Sequence, residues 1–334
     1  MRSLIIGGTG FVGAYLAEHL CSLGHKVAVT KLPGEQGFFA ERESFVMQDV
    51  EVFDLDLLSQ GAVLSLLREW KADYIFHLAA QSSVALSWKK PELTVDVNIK
   101  GSLHLLEALR EIADQAGLPD AVQKSGRKVR VLLVGSGEEY GSVLPQEVPV
   151  QETACLRPGN IYAASKACQN MIGRIYAQAY GLDIMMVRPF NHIGRCQSPV
   201  FVVADFCRQA AQIEAGKKEP VIRVGNLDVK RDFTDVRDVV RAYALLAEFG
   251  KAGETYNVGS GRARSIREML RIVLEHSSAE IRVEVDEKKL RPVDVPVMEA
   301  DIRKLQEATG WAPRIALEQT VQEMLDDWRA NINL

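Results

Sequence analysis

Leu4-Ile5-Ile6-Gly7-Gly8-Thr9-Gly10-Phe11-Val12-Gly13 opens the chain, one short apolar run followed at once by four glycines in seven residues. The apolar run reads as a buried strand, and residues 11–23 read as a helix that Gly24 ends. Gly7, Gly10 and Gly13 fall three apart. At that spacing the first glycine permits the tight turn, the second lets a pyrophosphate approach the backbone, and the third lets the helix pack close to the sheet. The helix N-terminus adds free N–H groups and partial positive charge for the phosphates. A strand before and a helix after are the context that separates this motif from a glycine-rich turn without a ligand.

The same alternation continues outward from that turn. Residues 26–30, 50–53, 74–78, 129–134 and 184–187 read as strands, and residues 60–70, 95–116 and 160–180 as helices. Residues 31–43 and 117–128 read as loops. Short apolar strands separated by helices predict an α/β fold, a Rossmann-type doubly wound parallel sheet covered on both faces. After Pro189 the rhythm changes: 225–233 is a polar segment, 236–248 and 265–276 are helical, and 281–285 is a strand. We expect a dinucleotide-binding domain over 1–190 and a smaller α/β substrate lobe over 191–334, with an approximate, interleaved boundary.

Composition narrows the class. The 334 residues are 47% hydrophobic and 25% charged, with a net charge of -4 and an isoelectric point near 6.0. That balance suggests neither a nucleic-acid partner nor a polybasic membrane surface. No apolar run approaches the roughly 20 residues of a spanning helix, and no signal peptide is read at the N-terminus. Five irregularly spaced cysteines and six histidines without ligand spacing predict neither a disulfide framework nor a metal site, and a reducing cytoplasm is the expected location.

Several further residues carry chemistry. The second strand ends Val29-Thr30-Lys31. An acid there would bind a ribose 2′-hydroxyl, whereas a basic residue tolerates a 2′-phosphate, so Lys31 points to NADPH, with NADH as the alternative. Asp54 and Asp56 follow the third strand. Asp56 with Leu57 is expected against the adenine, unless both acids are simply polar caps. Leu78-Ala79-Ala80 ends the next strand with small residues suited to close cofactor approach. In Tyr162-Ala163-Ala164-Ser165-Lys166 a phenol and an ammonium lie four apart, on one helix face. An ammonium so placed favours the phenolate and is expected to lower the pKa of Tyr162. Ser136, after an apolar strand, can hydrogen-bond a substrate oxygen beside that phenol.

Gly-Gly-Thr-Gly-Phe-Val-Gly, His77-Leu78-Ala79-Ala80, Ser136 and Tyr-Ala-Ala-Ser-Lys together resemble the extended short-chain dehydrogenase/reductase family over essentially the whole chain. The resemblance implies action on a nucleotide sugar, with Ser136, Tyr162 and Lys166 catalytic and with Tyr162 and Lys166 also at the cofactor, and a homodimer built on a four-helix contact. Three later stretches resemble the GDP-sugar branch: Arg188-Pro189-Phe190-Asn191-His192-Ile193-Gly194 with Gln197-Ser198-Pro199, the run 224–238, and Leu290-Arg291-Pro292-Val293-Asp294-Val295-Pro296. By that resemblance Asn191, Arg231 and Arg291 hold the nucleotide diphosphate, helped by Arg208. The implied reaction is NAD(P)H-dependent reduction of the C4 keto group of GDP-4-keto-6-deoxymannose to GDP-rhamnose.

GDP-mannose 4,6-dehydration is the nearest alternative. Elimination in that branch uses an acid/base pair after the catalytic hydroxyl. Here Glu138 matches its glutamate, but Gly137 stands where the neighbouring Asp or Ser is expected. Glu138 then has either an elimination role or hydrogen bonds to sugar hydroxyls. A 4-epimerase and a non-catalytic dinucleotide sensor are the remaining readings. The retained Ser136, Tyr162 and Lys166 argue against the sensor.

Overall fold

A computed structural model describes residues 1–35, 50–115, 129–289 and 295–332. Its main sheet is built from β1 (Arg2–Ile6), β2 (Lys26–Lys31), β3 (Val50–Asp54), β4 (Tyr74–His77), β5 (Arg130–Val134) and β6 (Asp183–Pro189). A seventh strand, Thr255–Val258, comes from far along the chain. The order across the sheet is β3-β2-β1-β4-β5-β6 and then that seventh strand, with every pair parallel. The two-residue period of a strand decides which core each side chain enters. Ile5, Val27, Val29, Leu132 and Val187 join the core under α1 (Phe11–Ser22). Leu4, Ile6, Ala28, Val131, Leu133 and Met186 enter the opposite core, under α2 (Gln60–Trp70).

The predicted helix over 95–116 is interrupted. Two short helices, α3 (Val84–Lys89) and α4 (Pro91–Val95), lead into a single π-helical turn, Asp96–Lys100, before α5 (Gly101–Gln115) begins. Buried Asn98 holds that turn to the strand end. Its Oδ1 accepts from Gln81 N at 2.8 Å, and its Nδ2 donates to Gln81 O at 3.1 Å and to Ser165 Oγ at 2.9 Å. Helical periodicity cannot report a turn that tertiary hydrogen bonds create.

α6 (Ile161–Tyr180) lies on the α2 and α5 side of the sheet. Beyond β6 the chain forms β7 (Asn191–Ile193), α7 (Val202–Glu214), β8 (Val221–Val224) and β9 (Lys230–Asp235). The polar segment expected at 225–233 therefore ends in a strand, the hub of the lobe. β9 pairs with β7, with Ala263–Ser265 and with Val297–Met298, while β8 pairs with Arg282–Val285. A third core lies under α7 and the helices Ile266–His276 and Leu317–Ala330. Between these lobe segments α8 (Val236–Phe249) returns to pack along α1, and β10 (Thr255–Val258) completes the main sheet. The chain thus passes between the main sheet and the lobe more than once.

Candidate active site

One cavity of about 1460 Å³ runs over the carboxyl ends of the main strands and under the lobe. It begins at the glycine turn. Gly7 has φ +79°, and a Cβ on it would lie 2.6 Å from Ala79 Cα, so that turn sits directly against the end of β4. Thr30 Oγ1 accepts from Gly7 N at 3.0 Å and ties the turn to β2. A Cβ on Gly10 would meet only Gly7 O, at 3.6 Å, so Gly10 leaves open space on the cavity side. Gly10 caps α1 without a side-chain hydrogen bond, and the first turn of α1 holds no acid. This cradle of helix N–H groups with room above it fits a dinucleotide diphosphate.

Phe11, Val12, Gly13, Leu78, Ala79 and Ala80 line the same stretch of wall, with Asp56 and Leu57 further out. Asp56 Oδ1 accepts from Leu58 N at 2.9 Å, so this acid caps its own turn while facing the cavity. Lys31 lines the wall too, its Nζ 2.6 Å from Asp54 Oδ1 across the β2–β3 register. Glu35, which the sequence reading passed over, also borders this end.

At the inner end, Ser136 caps a 3-10 turn, Gly137–Tyr140, and its Oγ accepts from Glu138 N at 3.1 Å. Tyr162 and Ser136 line the cavity together, and the Ser136 side chain acts to lower the Tyr162 pKa. Asn160 caps α6 by accepting from Ala163 N at 2.8 Å, and its Nδ2 donates to Glu138 Oε2 at 3.4 Å. These caps start α6 at the cavity and present Tyr162 to it.

The expected lowering of the Tyr162 pKa is corrected by this geometry. Lys166 Nζ donates to Val134 O at 2.8 Å and to Gln169 Oε1 at 3.0 Å, so its ammonium is engaged below the phenol. Burial dominates and pushes Tyr162 up to about 12; the Ser136 side chain opposes it, and the charges of Glu139 and Glu138 add to it. Burial also pushes Lys166 down to about 8, against the pull of Glu139.

Behind Ser136 stands a network that the sequence reading missed. Glu139 is fully buried. Its Oε1 accepts from Ser136 N at 2.9 Å and from Asn170 Nδ2 at 2.7 Å, and its Oε2 accepts from Arg188 Nε at 2.7 Å. The partners come from the turn after β5, from α6 and from β6, which only the fold brings together.

On the lobe side Asn191, Arg208 and Arg231 line the cavity, together with Gln197, Asp205 and Lys289. Arg208 Nη2 lies 2.8 Å from Asp205 Oδ1, and Lys289 Nζ lies 2.9 Å from Asp205 Oδ2. Arg231 Nη1 donates to Val295 O at 2.7 Å. Glu138 lines the cavity between Ser136 and this region. Of the residues expected at the catalytic, cofactor and substrate sites, Arg291 lies outside the described residues, and all the others line this cavity.

The sequence model of the GDP-mannose 4,6 dehydratase family matches residues 4–324. The chain belongs to that family. It is similar to the GDP-6-deoxy-D-mannose reductase of Pseudomonas aeruginosa, at 30% identity over 331 residues, with 99% of this chain and 98% of that protein covered. GDP-mannose 4,6 dehydratase 2 of Arabidopsis thaliana is 30% identical over 342 residues, covering 97% of this chain and 86% of that protein. Among solved structures, RMD from Pseudomonas aeruginosa complexed with NADPH superposes with a TM-score of 0.80 at 29% identity, over 99% of each chain.

Proposed function

We propose that this member of the family reduces the C4 keto group of GDP-4-keto-6-deoxy-D-mannose, giving GDP-D-rhamnose, with NADPH as reductant and NADH as an alternative. The cradle at Gly7, Gly10, Phe11, Val12 and Gly13 would hold the diphosphate, Asp56 and Leu57 the adenine end, and Tyr162 and Lys166 the nicotinamide ribose. Leu78, Ala79 and Ala80 would form the wall against which the dinucleotide lies. Lys31 would meet a 2′-phosphate by leaving Asp54. The reduced nicotinamide supplies the hydride. Tyr162 gives its proton to the C4 oxygen as charge develops there, and Ser136 hydrogen-bonds the same oxygen. A phenol held near 12 is protonated throughout the physiological range, which suits a proton donor. Asn191, Arg208, Arg231 and Arg291 would bind the GDP diphosphate, since guanidinium forks match phosphate oxygens.

The observation that favours reduction over dehydration is at Gly137. It is buried, and a Cβ there would lie 3.2–3.4 Å from the Phe190 ring, leaving little room for the second acid/base side chain of an elimination site. Dehydration of GDP-mannose remains the second reading, because Glu138 does face the cavity and the dehydratase relative is as similar as the reductase. A cytoplasmic homodimer completes the proposal. Support for the dimer is an exposed apolar stripe on α6, with Met171 60% and Ile175 57% exposed, on a helix that packs against α3 with its own exposed Trp88.

Tyr162→Phe tests the proposed proton donor. Reductive turnover is expected to fall by about 10²-fold or more, the ordinary weight of a general acid, while NADPH affinity is retained. A variant that keeps turnover and loses cofactor binding contradicts it.

A further inference from the structure

Tyr243, midway along α8, is fully buried, and its hydroxyl has no hydrogen-bond partner among the described residues. Burying such a group unpaired costs free energy comparable to a lost hydrogen bond. Most polar groups at the inner end of the cavity are already engaged: Lys166 with Val134 O and Gln169, Ser136 with Glu138 N, Asn98 with Gln81 and Ser165. Among the described residues, three buried, unpartnered polar atoms belong to residues that line the cavity. Two of these residues, Gln197 and Arg208, come from the lobe side. Tyr243 is the third.

Its position is distinctive. α8 packs along α1 and shares the core that holds Phe190 and Val187, so Tyr243 approaches the strand ends from the α1 face. α6 brings Tyr162 from the opposite face. Tyr162 and Tyr243 line the same cavity. A nicotinamide ring held in that cavity would bring its one polar substituent among the side chains that line it, Tyr243 included.

We propose that the Tyr243 hydroxyl donates a hydrogen bond to the carboxamide oxygen of the nicotinamide and so fixes which face of the ring is turned to substrate. This rests on the dinucleotide reading of the cavity. The carboxamide is the polar group of that ring, and its oxygen is an acceptor for a phenol that otherwise has none.

The test is calorimetric titration of wild type and Tyr243→Phe with three probes: NADPH, its thionicotinamide analogue, and 2′-phospho-ADP-ribose, which lacks the ring. The variant keeps the aromatic ring in the core, and its melting curve is recorded alongside. The expected result is an NADPH affinity weakened about three- to tenfold, the worth of one hydrogen bond. The loss should shrink for the thionicotinamide analogue, whose sulfur is a poor acceptor, and vanish for 2′-phospho-ADP-ribose. Wild type itself should prefer NADPH to the thio analogue, an expectation that holds even if the variant folds poorly. Undiminished NADPH binding by the variant, or equal losses for all three probes, overturns the proposal. Failure of wild type to bind either 2′-phospho-ADP-ribose or ADP-ribose overturns the dinucleotide reading and this proposal with it.

Discussion

Lys166 and Tyr162 share a helix face but not a surrounding. The i, i+4 spacing puts both on the side of α6 that meets the sheet, and the sheet then takes the ammonium for itself through Val134 O. Burial makes the charged form of Lys166 costly and brings its pKa down to about 8, while Tyr162 sits at about 12. The ammonium therefore predominates below about pH 8 and is lost as pH rises through that value; the phenol stays protonated well beyond it. Reductive kcat/KM should show one alkaline limb near pH 8, following Lys166, with no further loss from Tyr162 before about pH 12. A profile flat to pH 10 would mean that the charge of Lys166 is not used. At this scale the sequence made Ser136, Tyr162 and Lys166 legible because motif and spacing are local. It did not disclose Glu139, Asn98 or Tyr243, whose significance lies in partners, or a missing partner, that only the folded chain defines.

Two glycines of one turn separate an element's architecture from its binding role. Gly7 combines a positive φ with a Cβ position 2.6 Å from Ala79 Cα, so an alanine there strains the backbone and collides with the neighbouring strand end. Gly7→Ala should cost about 2 kcal/mol or more of stability and lower the melting temperature. Gly10 has an ordinary φ and free space above it. Gly10→Ala should melt with wild type yet bind NADPH about tenfold or more weakly, because the methyl group occupies the path of the diphosphate. Equal melting temperatures for both variants would contradict this division. Strand, turn and helix were readable here since each signal is contiguous. The break at Asp96–Lys100 was not, because Asn98 is fixed by Gln81 and Ser165, one before it and one far beyond it in sequence.

Across the whole molecule, the parallel sheet and its covering helices followed from the alternation of apolar strands with helices. The path of the second half did not. β10 completes a sheet begun some 250 residues earlier, and β9 is a polar-looking strand whose place comes from three neighbours rather than from its own pattern. The exposed stripe at Met171 and Ile175 belongs to this scale. An apolar helix face left in water favours association, so wild type should run as a dimer in size-exclusion chromatography with light scattering. Ile175→Glu should shift it towards monomer; a wild-type monomer at all concentrations would dispose of the dimer.

Product analysis reads the direction of chemistry in the cavity directly. GDP-4-keto-6-deoxymannose with NADPH goes in one tube, GDP-mannose with catalytic NADP in another, each followed by reduced-cofactor absorbance and NMR of the sugar. The predicted result is stoichiometric NADPH oxidation and a 6-deoxyhexose in the first tube, and no reaction in the second. A 4-keto-6-deoxy product in the second tube, with no net change in cofactor, would contradict the reductase reading and make Glu138 an elimination catalyst.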